Sequence, residues 1–178
     1  MLNSHLLHHL EECLWPKGFR RDVWMIVDSA RDPTIYGLLL ECFYSTHACL
    51  FAGTLAPELK IVAPYLIPLE YEDKQTRKFL RNAWGNSWGV FLRCDDRQDF
   101  IRRHLRTLLT VRNPQGQRML FRFYDPRVLR RYLPTCTAEE LQQVFGPIEC
   151  FWAEDRTLEA LLELRFRRGK LESETQRF

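Results

Sequence analysis

Long apolar runs are missing from this 178-residue chain. Nowhere do about 18 apolar residues follow one another, so no membrane-spanning helix and no membrane partner are expected. The first residues, M-L-N-S-H-L-L-H-H-L-E-E-C-L, also lack the basic flank and apolar stretch of a secretory leader, which leads to the expectation of a cytoplasmic protein. Cysteine is present but unorganised. Cys13, Cys42, Cys49, Cys94, Cys136 and Cys150 contain no C-x-x-C, and most sit in apolar runs, as reduced core thiols of a cytosolic protein do. The glycines at 85, 89, 116 and 146 are isolated and match neither G-x-G-x-x-G nor G-x-x-x-x-G-K-[ST], so a phosphate cradle is excluded. An excess of one charge is missing too. With 26 basic residues against 23 acidic ones and a net charge of +3, bulk charge gives no reason to expect a nucleic-acid partner.

What the chain does have is an ordinary globular composition, 46% hydrophobic and 28% charged, with an aromatic share of 13% that includes five Trp. One domain of this size buries roughly 70% of the surface its unfolded chain exposes. Rings on that scale serve cores and recognition surfaces alike. Leucines at 2, 6, 7, 10 and 14 have the spacing of an amphipathic helix, ended by Trp-Pro-Lys-Gly at 15–18. Residues 22–29 form a continuous apolar run of strand length, the mark of a strand covered on both faces. Asp32-Pro33 starts a second helix. Short strands are expected at 48–52 and 63–69, with one helical turn at 57–61 between them. A helix over 73–84 stopped by Gly85-Asn86 leads to a strand over 87–93.

Asp95 or Asp96 is expected to cap a helix with Ile101, Leu105, Leu108 and Leu109 on its buried arc. Residues 111–131 then read as two strands joined by a Pro-Gln-Gly turn and delivered into a helix at Asp125-Pro126. Thr137-Ala-Glu-Glu140 is a capping box. A strand at 148–153 follows, and Asp155 is expected to cap a final helix with Leu158, Leu161, Leu162 and Phe166 inward, before a charged tail. Short links between alternating strands and helices predict an α/β fold. We expect a mixed sheet of about six or seven strands, an antiparallel hairpin near 109–124, flanking helices and a C-terminal helix. Residues 1–155 would form the domain and 156–178 the last helix and tail.

Candidate chemistry is sparse. His5, His8 and His9 share one short helix, which presents at most two zinc ligands with useful spacing, and no paired cysteine completes a set; no metal or cofactor is expected. Cys94 and His104 are a nucleophile and a base in type, yet their spacing does not bring them together, and His104 reads as a half-buried packing residue. Asp32, Asp125, Asp155 and the pair Asp95-Asp96 all have accounts as helix caps. No catalytic residue is assigned, and the chain is not expected to be an enzyme. Two basic helical faces remain, Arg102, Arg103 and Arg106 on one helix and Arg127, Arg130 and Arg131 on another, with side chains suited to bidentate carboxylate or phosphate contacts. They are read as solvated faces or partner contacts. Trp84 and Trp88, four residues apart across a break, are either core or a binding hot spot.

Six segments carry a resemblance, in order: L-F-A-G-T at 50–54, A-P-Y-L-I-P-L at 63–69, W-G-V-F-L-R at 88–93, I-R-R-H-L-R at 101–106, L-F-R-F-Y-D-P-R-V-L at 120–129 and F-G-P-I at 145–148. Together they resemble the adaptor proteins of bacterial type VI secretion, the Tap/Tec-type effector chaperones catalogued as a domain of unknown function. The likeness runs over about residues 23–155. It implies a non-enzymatic adaptor in the cytoplasm of a Gram-negative bacterium, binding a cognate toxic effector and the VgrG spike protein and loading the first on the second. The alternatives are a nucleic-acid-binding module and a small hydrolase with an unrecognised site.

Overall fold

A computed structural model describes residues 3–16, 22–113, 115–155, 157 and 159–178. Positions 2, 17, 18, 114 and 158, on which the expectations above also drew, lie outside the described residues. In chain order the elements are helix α1 (Ser4–Leu14), strand β1 (Val23–Asp28), α2 (Thr34–Phe43), β2 (Ala48–Cys49), α3 (Pro57–Lys60), β3 (Pro64–Leu69), α4 (Lys74–Ala83), β4 (Gly89–Arg93), α5 (Gln98–Leu108), β5 (Thr110–Arg112), β6 (Arg118–Leu120), α6 (Pro126–Tyr132), α7 (Ala138–Phe145), β7 (Cys150–Glu154), β8 (Ala160–Arg167) and β9 (Lys170–Arg177). No described helix is long and apolar enough to cross a membrane.

Seven strands make one sheet in the order β2-β3-β1-β4-β7-β8-β9, and β5 pairs with β6 apart from it. Strand β1 is buried along its whole length, as its unbroken apolar run requires. Its side chains alternate between two cores. Val23, Met25 and Val27 join α1, α2 and α4 on one face, while Trp24 and Ile26 join α5, α6 and α7 on the other. The result is a sheet between two helical layers.

The expected mixed sheet is antiparallel at every described pairing. Its alternation of strand and helix is nevertheless a real crossover. Strands β3 and β4 run the same way and are joined by α4, but β1 lies between them and pairs antiparallel with both. At this crossing β1 and β4 come so close that a Cβ on Gly89 would stand 1.9 Å from the Ile26 carbonyl oxygen, so only glycine fits there.

The expected C-terminal helix is instead the hairpin β8–β9. Leu161, Leu162 and Phe166 suit a helical arc, yet the period that holds is two: Leu162, Leu164 and Phe166 face the α5–α7 core, and Leu161 faces the other. Arg168 and Gly169, with φ of 50° and 75°, make the turn that the segment R-R-G-K encodes. Asp155 caps no helix; its amide donates to the Ala160 carbonyl and begins the β7–β8 connection.

The other caps divide. Asp125 and the Thr137/Glu140 box cap α6 and α7 as expected, Asp32 accepts the Thr34 amide at 2.8 Å, and Asp73, for which no cap was expected, caps α4. Helix α5 begins after Arg97 with no side-chain cap from Asp95 or Asp96.

Candidate functional site

The run Phe121–Arg127 borders an open, partly apolar surface, each residue with a separate task. Strands β5 and β6 pair Val111 with Met119, and the Phe121 amide donates to the Leu109 carbonyl at 2.8 Å, extending the ladder by one step. Gly116, at φ 76°, allows the tight return. Pleating then places Val111, Met119 and Phe121 on one face of the hairpin. The next residue, Arg122, reaches back to the buried Asp28 at the end of β1, with Nε 3.1 Å from Oδ2. Phe123 and Tyr124 are buried. Asp125 caps α6 and Pro126 opens it.

Arg127 folds back on Asp125 as a fork, with Nη2 2.5 Å from Oδ2 and Nε 2.9 Å from Oδ1. Burial works to raise the Asp125 carboxyl, but the Arg127 side chain and amide outweigh it and hold the group below the ordinary carboxylate range.

Two wells open on this surface. One, of about 160 Å³, lies between Leu108, Phe121, Tyr132 and Val144. The other, of about 580 Å³, lies along α6 between Phe121, Arg127, Val128, Arg131 and Tyr132. Phe121 and Tyr132 line both wells, edge to face at 4.7 Å between ring centroids. On the hairpin, Met119 stands 50% exposed on the face that carries Phe121, and Leu120 53% exposed on the opposite face. Monomers leave few such contiguous apolar areas open without a use.

The arginines expected at a partner surface fall into two groups. Arg102 donates from Nε to the Cys49 carbonyl at 2.8 Å, and Arg106 donates to the carbonyls of Leu50 at 2.9 Å and Phe51 at 2.6 Å. Arg130 donates to the Glu154 carbonyl. These three tie segments together. Arg103 is exposed, paired with Asp99 at 3.6 Å and stacked on Phe100. Arg131 is exposed on the rim of the larger well. Trp84 and Trp88 are core residues, each 6% exposed, against Phe178 and Phe79 respectively.

The remaining candidates stay apart. Cys94 donates from Sγ to the Pro147 carbonyl at 3.3 Å, and His104 Nε2 lies 2.9 Å from the Val144 carbonyl, so each is held by its own partner. His5 and His9 meet at 3.3 Å, and among the described residues no three His, Cys, Asp or Glu gather as a metal site. All six cysteines are free thiols. The sequence reading placed the hairpin but missed its exposed apolar face. The available signal was the spacing of Val111, Met119 and Phe121 across the turn, which aligns them once the register is fixed.

A family model described as a domain of unknown function, DUF4123, matches residues 23–143. The chain belongs to the DUF4123 family. The stretch that defines DUF4123 here contains the hairpin, α6 and most of α7, and hence nearly all of the two wells; β7, β8 and β9 lie beyond it. No curated protein and no solved structure matches this DUF4123 chain.

Proposed function

We propose that this DUF4123 protein is a non-enzymatic cytoplasmic adaptor of type VI secretion, which binds one toxic effector and the VgrG spike protein and loads the first on the second. The family membership and the six ordered segments support this reading. The observation that carries it is the hairpin face that bears Phe121, where Met119 stands half exposed, together with the two wells that Phe121 and Tyr132 line. An aromatic and aliphatic floor with a polar rim is the make-up of a protein-binding patch of moderate size, suited to a cargo that must be held and then released. Polar side chains nearby are occupied by folding: Asp125 caps and pairs, Glu140 closes the capping box, and Arg122 holds Asp28.

The test is co-purification. The tagged chain, co-expressed with a candidate effector and a VgrG spike protein from the same genome, is expected to retain both, and Met119→Glu is expected to lose at least one. Failure of the unaltered chain to retain either protein would overturn the reading.

A further inference from the structure

We propose that the groove between the β5–β6 hairpin and α6 receives an amphipathic helix of the partner protein whose apolar face is flanked by carboxylates. The inference rests on the adaptor reading and adds the chemistry of the segment recognised. Charge is the first ground. Residues 108–132 hold six arginines, at 112, 118, 122, 127, 130 and 131, against a single acidic residue, Asp125. That one carboxylate is nearly buried and already forked by Arg127. Arg131 on the rim and Arg118 on the hairpin make no ion pair among the described residues; Glu140, which lines the smaller well, is turned to the Thr137 amide in its capping box, so the larger well has free positive charge beside its apolar wall. Guanidinium groups at such a rim take carboxylates in planar, two-point contacts and speed encounter with an acidic partner.

Shape is the second ground. The two wells share the Phe121–Tyr132 wall, and side chains at i and i+4 of a helix stand about 5–6 Å apart at Cβ, so one helical turn can straddle that wall and seat an anchor on each side. Met119, exposed on the hairpin face that carries Phe121, adds apolar surface next to that wall. An added strand is the poorer fit, because β6 offers only the three residues Arg118–Leu120 as an edge. A nucleic acid would engage the arginines but leave Met119 and Val128 without apolar cover.

The experiment selects ligands on the intact chain from a displayed library of random peptides about 16 residues long, a length that spans four helical turns. Recovered sequences are expected to be enriched in Asp and Glu and to repeat apolar residues at i, i+3 or i+4, and i+7. Their synthetic forms are expected to bind at least about tenfold more weakly to Arg131→Glu and to Met119→Glu, and to weaken with added salt. Both positions are exposed, and circular dichroism of the variants controls for folding. Neutral or basic selected peptides, an alternating apolar pattern, no selected peptide, or affinity unchanged in both variants would each overturn the inference.

Two further outcomes overturn it in favour of another occupant. One is random duplex DNA competing at the groove, and the other is a self-association of the chain abolished by Met119→Glu. The two readings fail separately. Variants that retain effector and spike as well as the unaltered chain remove the acidic helix and leave the adaptor standing, whereas an unaltered chain that retains neither removes the adaptor itself.

Discussion

Helices α5 and α6 carry arginine triplets of nearly equal spacing, 102, 103 and 106 against 127, 130 and 131, and the two sets end in different places. On α5 the flanking pair is turned onto backbone. Strand β2 is only two residues long, so the carbonyls of Leu50 and Phe51 run past its end, and Arg106 supplies donors to both. On α6 only Arg130 is used in this way, Arg127 is balanced by its neighbour Asp125, and Arg131 is left at the rim of a well. The difference teaches that a basic helical side chain stays at the surface when no unsatisfied backbone lies opposite it. Where strands stop short, the same residues become struts.

This contrast can be broken or sharpened by measurement. The largest effect concerns Glu154, whose carbonyl receives Arg130 and whose carboxylate receives the Gly85 amide at 2.9 Å and the Ser87 amide at 3.2 Å. Burial pushes its carboxyl from the ordinary 4.5 up to about 7, although both amides and Arg130 favour the anion. Between about pH 4.5 and 7 the folded chain therefore holds a proton that the unfolded chain has released. Stability from this group is full below that window, falls as pH rises through it, and has lost about 3 kcal/mol above it. Denaturation across pH 4.5–7.5 should show the wild-type protein losing stability relative to Glu154→Gln; parallel curves would refute the assignment.

Next in size, Arg106→Ala should lower unfolding stability by about 2 kcal/mol, because carbonyls of the 49–51 segment lose charged donors. For a chain of this length that is a fall in Tm of about 4–8 °C. A smaller effect is expected for Arg131→Glu, which should weaken effector or spike capture about tenfold, or 1.4 kcal/mol, in a titrated pull-down. Smallest of all, Arg131→Ala should change unfolding stability by less than about 0.5 kcal/mol. A loss above 1 kcal/mol in chemical denaturation would make Arg131 a strut like Arg106 and dissolve the contrast.

Much of the fold was legible because its causes are local. Strand β1 announces burial on both faces through an unbroken apolar run, and Asp125 and Thr137 cap their helices through contacts within three residues. The fates of the arginines were not legible, since Arg102 and Arg106 find their acceptors more than 50 residues away. The final hairpin was misread because Leu161, Leu162 and Phe166 satisfy two periods at once. What decides is pairing with β7, where Leu162 meets Ala153 and Leu164 meets Phe151. The candidate surface was half legible: motif and hairpin stood out, but exposure of Met119 and Leu120 depends on nothing in the main sheet covering β5 and β6.

The position of β7 has a practical consequence for anyone dissecting the protein. The family match stops at 143, yet β4 completes its pairing only through Phe91, Leu92 and Arg93 against Trp152, Phe151 and Cys150. A fragment trimmed to the match would end its sheet on a bare row of amides and carbonyls, flanked by the greasy side chains of Val90 and Leu92, and such rims recruit strands from neighbouring molecules. Any shortened version of the chain therefore has to keep the strand that seals this rim.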